Sequence, residues 1–248
     1  SDVLRRDSPD YEAVLSAIAR GAHELGDIAT ATLIAKDRTA SVLATLVELR
    51  LVERRLRASV PVARHERARY ARYHLADPFL RFYYRMVEPN RSFLAQQNYD
   101  PILQHFTEQM RAFTAAAFEE LCRSWTLAQG RVGGLGFTPE FVGSDWHGGE
   151  MQADVVAVNW REAQVLIGEA KWGEKAVDHS VYTELKERAP KMLARMENKK
   201  KWTVQFALFA RRGFTPAVIS AAKDDQPRLI TFEKIVSDLE KMERRVIR

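Results

Sequence analysis

A chain of 248 residues with 46% hydrophobic and 29% charged residues has the composition of a globular protein with one large domain or two smaller ones. No apolar run approaches the ~18 residues of a membrane span, and the N-terminus lacks the tripartite order of a signal peptide, so a cytoplasmic location is expected. Cys122 is the only cysteine, which excludes an internal disulfide and any multi-cysteine metal site and leaves a buried thiol as the expectation. The net charge of +5 is unevenly spread: between Arg50 and Arg72 eight arginines face Glu53 and Glu66, a local balance of +6, so the remainder is close to neutral. A basic stripe confined to one segment points to a phosphate-bearing partner. The sequence opens on Ser1 without a methionine, and a processed chain or a piece of a longer protein is expected.

In chain order, "SPDYEAVLSAIARGA" predicts a short amphipathic helix capped by Ser8, with Pro9 in its first turn, Val14, Leu15 and Ile18 at helical spacing, and a stop at Gly21. A second helix is predicted over Leu25 to Ile34, and after a break at "AKD" a third over Arg38 to Leu49, with Val42, Leu43, Leu46 and Leu49 on its apolar face. Two extended candidates follow, "LVERRLRA" and "ARYARYHL", joined by "SVPVARHER". Three helices and a basic hairpin form the winged helix-turn-helix pattern, in which the third helix enters the major groove and the hairpin reaches the phosphate backbone. The candidate nucleic-acid contacts are Lys36, Arg38, Thr39 and Ser41 on that helix and Arg54, Arg55, Arg57, Arg64 and Arg67 on the hairpin. DNA or RNA is the expected partner; a protein-interaction module with exposed charges is the alternative. "ADPFLRFYYRMVEPN" then predicts a helix capped by Asp77, with Phe79, Phe82, Tyr83 and Met86 on one face, docking the first domain onto the second.

A long helical pattern runs from Pro101 to Ala128 through Phe106, Met110, Phe113, Ala117 and Leu121 and ends at Gly130. Three extended segments follow, "GFTPEFVG", "QADVVAVN" and "AQVLIGEAKW", the last two joined by a tight turn near Trp160 to Ala163. A charged helix is predicted from Asp178 to Asn198, ended or kinked by Pro190, then a strand at "TVQFALFA" and a closing helix at "VSDLEKMERRV". The expected organisation is a winged helix over 1–76, a connecting helix and linker over 77–100, and an α/β domain with αβββαβ order over 101–248.

In strands, alternate side chains share a face, so Val165, Ile167, Glu169 and Lys171 point one way and Asp154, Val156 and Val158 point one way. If the two strands pair as a hairpin, Asp154 and Glu169 become neighbours with Lys171 one step along. Two carboxylates converging at a sheet edge repel unless a cation lies between them, and hard oxygen ligands suit Mg²⁺ or Mn²⁺. The E-x-K spacing itself decides nothing, since it recurs at Glu184 to Lys186 and at Glu197 to Lys199 in charged helical sequence. Only the first copy lies in an apolar strand, where an uncompensated charge is costly. His147 in "GSDWHGGE", and His179 and Tyr182 after the third strand, are weaker candidates, ordinarily exposed.

Asp154, fourteen intervening residues and then Glu169-Ala170-Lys171, preceded by Glu119 in "AFEELC", resembles the PD-(D/E)XK nuclease superfamily. More specifically, "YEAVLSAIARG", "YHLADPFLRFYYRMVEPN", "FEEL", "ADVVAVN" and "VLIGEAKW" together resemble the C-terminal region of the archaeal ATPase family, a winged helix and a nuclease-like domain behind a P-loop ATPase. That resemblance implies a divalent cation held by Asp154, Glu169 and the Ala170 backbone carbonyl, with Glu119 as a further ligand and Lys171 orienting water or stabilising charge. It also implies an N-terminal ATPase domain as partner in a longer parent. One departure is Gln152, where the family often carries an acid two positions before the strand aspartate.

No ATPase motif lies within this chain: "GAHELGDI" places Asp27 where a phosphate-binding loop needs its lysine, and "GGLGFTP" lacks the third glycine of a dinucleotide fingerprint. The expected function is a DNA-binding, nuclease-like region with a vestigial or regulated metal site, and the alternative is an active Mg²⁺-dependent endodeoxyribonuclease. A plain transcription regulator leaves the Asp154, Glu169 and Lys171 arrangement without a use.

Overall fold

The computed structural model describes residues 8–67, 70–147, 151–196, 200–225 and 227–246, without the side chains of 8, 66, 67, 151, 223–225, 245 and 246. The Ser8 cap, the Arg67 and Arg69 members of the basic stripe and the E-x-K copy at 197–199 lie outside that description. The chain divides into two compact units, Ser1–Leu56 with Ala68–Met110, and Arg57–Arg67 with Arg111–Arg248.

In the first unit α1 (Ser8–Ala19), α2 (Leu25–Thr32) and α3 (Lys36–Glu48) precede an antiparallel pair, β1 (Val52–Leu56) with β2 (Ala71–Leu75). Their core joins Val14, Leu15 and Ile18 to Ile28, Val42, Leu43, Leu46, Val52 and Leu75. Gly21, at a φ of +106° that only glycine adopts cheaply, sits in the turn that ends α1, as its sequence position indicated. β2 also gains a second backbone partner beside β1, since the Tyr73 N–H donates to the His23 carbonyl at 2.8 Å.

The predicted aromatic helix is broken: α4 (Pro78–Phe82), a π turn over Tyr83–Val87, a 3₁₀ turn over Glu88–Asn90 and α5 (Arg91–Ala95). Asp77 does cap it, accepting the Phe79 N–H at 2.7 Å. Pro89 cannot donate to the helix ladder, and the Asn90 amide instead donates to the Met86 carbonyl at 2.7 Å. Phe79, placed on the buried face by periodicity, is 66% exposed, while Leu80 and Tyr84 pack on the core of the first unit.

The second unit carries most of α6 (Asp100–Arg131), which runs past the predicted stop at Gly130. A five-stranded sheet follows in the order β3-β4-β5-β6-β7: β3 (Phe141–His147), β4 (Met151–Asn159) and β5 (Gln164–Lys171) are antiparallel, and β6 (Thr203–Ala210) and β7 (Arg228–Thr231) run parallel to β5. Helices α7 (His179–Leu193) and α8 (Pro216–Asp225) cover one face, where Tyr182, Leu185, Ala189 and Met192 meet Val156, Val158, Val165 and Ile167. α6 and the terminal α9 (Phe232–Val246) cover the other, where Phe118, Cys122, Trp125 and Ile235 meet Val155, Ala157, Leu166 and Phe209. Burial on both faces explains why β4 and β5 read as continuous apolar runs instead of alternating ones.

Four expectations need correction. β3 starts at Phe141 and continues through "GSDWH", so His147 ends a strand and is not in a loop. Pro190 lies inside α7, which continues to Leu193; a proline there costs one ladder bond, and the helix stops within a turn. α8 and β7 had no sequence counterpart. The segment joining β1 to β2 does not stand clear: Ala58 N–H donates to the Ser144 carbonyl and Ser59 N–H to the Asp145 carboxylate, both at 3.0 Å, covering the free edge of β3.

Asp145 is buried, and burial pushes its carboxyl above the ordinary aspartate value against the Ser59 hydrogen bonds. Asp145→Ala leaves the Ser59 N–H without its acceptor, a cost of about 1–3 kcal/mol. Limited proteolysis should then cut within 57–67 several-fold faster than in the wild type.

Candidate functional site

The site forms where β4 and β5 part. Their ladder ends at Val155 opposite Gly168, so Asp154 and Glu169 are the first residues beyond the last rung. On its other side β4 carries an extra residue: pairing steps from Gly143–Val156 to Asp145–Ala153, two residues along β3 against three along β4. Such a bulge re-aims side chains. The Asp154 carboxylate turns onto its neighbour strand, where Oδ2 accepts the Ala170 N–H at 3.0 Å, while the Gln152 amide lies 3.4 Å from Oδ1.

Glu169 stays on the face set by strand alternation and is buried. Lys171 Nζ lies 2.8 Å from its Oε1, and Arg188 Nη2, from α7, lies 3.2 Å from its Oε2. Glu119 comes from α6 at the other face, with Arg123 one helical turn on at 3.8 Å. Arg123 also donates to the Asp154 carbonyl at 2.8 Å. Sequence reading missed Arg123 and Arg188. The signal for the first was the i, i+4 spacing from Glu119, and for the second its place three residues after buried Leu185, at the margin of the buried stripe of α7.

Burial raises Asp154 to about 6, with Glu169 pushing it up further and the Ala170 N–H, Lys171 and Arg123 opposing. Burial raises Glu119 to about 7, Asp154 adding to the rise and Arg123 opposing it. Burial alone would lower the Lys171 ammonium, but Glu169 outweighs it and holds it above the ordinary lysine value. Lys171 is therefore a fixed cation at neutral pH, able to donate and unable to act as a base. Burial pushes the Cys122 thiol far up, consistent with an inert core residue.

Among the described residues no three His, Cys, Asp or Glu side chains form a ready metal cage. The donor set nevertheless fits a hard cation: Mg²⁺ ordinarily takes one or two carboxylates, keeps several waters and completes its shell with substrate phosphate. Asp154 and Glu169 would supply the carboxylates, Ala170 a main-chain oxygen beside them, and Glu119 a contact directly or through water. A divalent cation between Asp154 and Glu119 would favour their ionised forms and offset the burial and mutual repulsion that raise both.

The nucleic-acid candidates fare unevenly. Thr39 is fully buried, its hydroxyl donating to the Ala35 carbonyl at 3.1 Å, and is a helix-start contact and not a base reader. Arg38 pairs with Asp10 at 2.9 Å and Arg55 with Glu53 at 2.8 Å. Arg57 lies over the Trp146 ring at 5.7 Å and meets His147 Nδ1 at 3.2 Å, so it serves the β3 edge. Lys36, Ser41, Arg54 and Arg64 are exposed. His179 and Tyr182 sit at the start of α7, Tyr182 buried in the core and His179 bonded within its own helix.

A sequence profile of archaeal and bacterial proteins matches residues 83–189, a span holding Glu119, Arg123, Asp154, Glu169, Lys171 and Arg188. Over that span the chain is similar to DUF234 proteins. That family is described as archaeal and bacterial proteins of unknown function. An uncharacterized protein of Methanocaldococcus jannaschii is 26% identical over 162 residues, which is 65% of this chain and 35% of the relative. The chain thus spans about a third of the length of the curated relative it matches. No solved structure matches it significantly. Among the described residues no helix is long and apolar enough to cross a membrane.

Proposed function

We propose that the second unit is a nuclease-like domain of the PD-(D/E)XK type, which holds a nucleic-acid phosphodiester against a divalent cation at Asp154 and Glu169. The observation that carries this reading is the convergence of buried Asp154 and Glu169 with half-buried Glu119 where β4 and β5 part, ringed by Arg123, Lys171 and Arg188. Acids and bases interleaved in this way, with carboxylates displaced toward neutral pH by burial and a charged neighbour, make this cluster a functional-site candidate. Mg²⁺ or Mn²⁺ bound there would polarise the phosphate and acidify a water. The chain's own residues orient the charges: Ala170 N–H fixes Asp154, Arg123 anchors the end of β4 through a main-chain carbonyl, and Lys171 presents an ammonium to a phosphate oxygen.

In the same reading the first unit, with three helices and a β hairpin, is a winged helix that binds DNA through Lys36, Ser41 and Arg54. The longer relative supports a parent protein with a further domain, which we propose to be a P-loop ATPase, acting in the cytoplasm.

The direct Glu169–Lys171 contact favours a second reading, in which the pair is a structural ion pair and the domain holds DNA without cutting it. Incubation with plasmid and labelled duplex at 1–10 mM Mg²⁺ or Mn²⁺, at roughly 50 and 200 mM salt, separates them. Cleavage lost by at least tenfold in Lys171→Met and Asp154→Asn supports the nuclease; salt-sensitive retention without cleavage supports the holding role. Absence of any DNA retention at low salt sinks both, and cleavage that persists in the variants is contamination.

A further inference from the structure

We propose that Arg188 is a positioning residue that competes with the divalent cation for Glu169, so that the site takes up metal strongly only together with a phosphodiester. This rests on the metal-site reading above and adds to it a residue outside the motif and a coupling between two ligands.

The geometry of Arg188 is unusually complete. Its Nη2 faces Glu169 Oε2 at 3.2 Å, its Nη1 donates to the Gln152 carbonyl at 2.7 Å and its Nε to the Glu184 carbonyl at 3.2 Å. Three groups on β5, β4 and α7 hold one guanidinium, so its charge is placed and does not roam as a surface arginine does. Lys171 occupies the other oxygen of the same carboxylate at 2.8 Å. Glu169 therefore meets any incoming cation with both oxygens already engaged by positive groups.

Charge counting then sets the coupling. With Glu119, Asp154 and Glu169 ionised, Arg123, Lys171 and Arg188 balance them one for one. A divalent ion alone leaves the partly buried site with two excess positive charges, which is costly beside the buried Asp154 and Glu169. An anion that enters with the metal removes that cost and gives Lys171 and Arg188 a new partner as they yield Glu169. Metal and phosphodiester each raise the affinity of the other by the same factor.

The test is a titration of the full chain with Mn²⁺ alone and with a phosphorothioate dinucleotide present, followed calorimetrically at pH 7.5. In the wild type the dinucleotide should tighten Mn²⁺ binding about tenfold or more. Arg188→Gln removes the competing charge, so Mn²⁺ alone should bind roughly three- to tenfold tighter while the gain from the dinucleotide falls below about threefold. Arg188→Lys, which keeps the charge, should stay within about twofold of the wild type for Mn²⁺ alone. A residue that merely props up the fold would change metal affinity in the opposite direction. Equal or weaker Mn²⁺ binding by Arg188→Gln, with the wild type binding normally, overturns the role of Arg188 alone. No Mn²⁺ binding by any form, with or without the dinucleotide, overturns the metal-site reading itself. If the Gln variant does not melt cooperatively, Arg188→Met carries the same expectations.

Discussion

Asp154→Asn is expected to make the metal-free chain more stable at pH 7.5 while abolishing its response to Mn²⁺. Folding raises Asp154 to about 6 and Glu119 to about 7, above the ~3.9 and ~4.3 of unfolded chains. The folded state then binds more protons than the unfolded state across that window. Stability is fully present below about pH 4 and is lost as pH rises through the folded values, by at most about 6 kcal/mol for the two groups together. Asparagine keeps the acceptor for the Ala170 N–H, and the Gln152 amide can reverse to face the new donor, so the substitution removes charge with little change of shape. The variant should gain about 1–2 kcal/mol at pH 7.5, or a few degrees in melting temperature, and nothing near pH 4. A cation that binds only the folded chain should raise the wild-type melting temperature at pH 7.5 and much less at pH 5, where the carboxylates hold protons. Melting curves at both pH values, with and without millimolar Mn²⁺, read all of this. A variant that melts below the wild type at pH 7.5, or that keeps its Mn²⁺ shift, contradicts the account.

What the sequence revealed and what it hid follow from the range of the forces involved. Strand alternation is local, so the shared face of Glu169 and Lys171 was legible, as was the long helix bearing Glu119. The position of Asp154 was legible only in outline. Alternation put it on the face of Val156, but the extra residue in β4 that turns it onto Ala170 is a property of pairing with β3, invisible in either strand alone. Arg188 was hidden for a similar reason: the lysines and acids around it suggest a solvated face, and only the packed position of α7 brings it to Glu169. The basic segment misled most. Arg57 reads as part of a phosphate-binding stripe, yet Trp146 and His147 hold it, because the open edge of β3 needs backbone partners more than the loop needs solvent. Thr39 lies early in the third helix, where a hydroxyl can face a groove, yet it is buried and its hydroxyl turns inward onto the Ala35 carbonyl.

Gly168→Val is expected to be the most damaging single change to both fold and site. A Cβ at 168 would lie 2.9 Å from Cε2 of Phe209, 3.3 Å from the Ala207 carbonyl oxygen and 3.3 Å from the Val155 Cβ, closer than such atoms settle. Phe209 cannot simply turn away, since it is fully buried with its ring edge-on to Trp125 at 5.8 Å. The absent side chain at 168 is therefore what lets β5 lie close to β6 beneath α6. Two added methyl groups make the strain larger still, and overpacking of this kind costs about 3 kcal/mol or more, a fall of roughly 6–12 °C for a chain of this size. Because Gly168 forms the last rung before the strands part, relief by displacing β5 would also carry Glu169 and the Ala170 N–H away from Asp154. The site should consequently lose Mn²⁺ binding even at temperatures where the variant remains folded. Phe209→Leu makes room at the ring edge, so the double variant should recover at least about 1 kcal/mol relative to the sum of the single changes. Strict additivity in that cycle would show that the ring is not what excludes a side chain at 168.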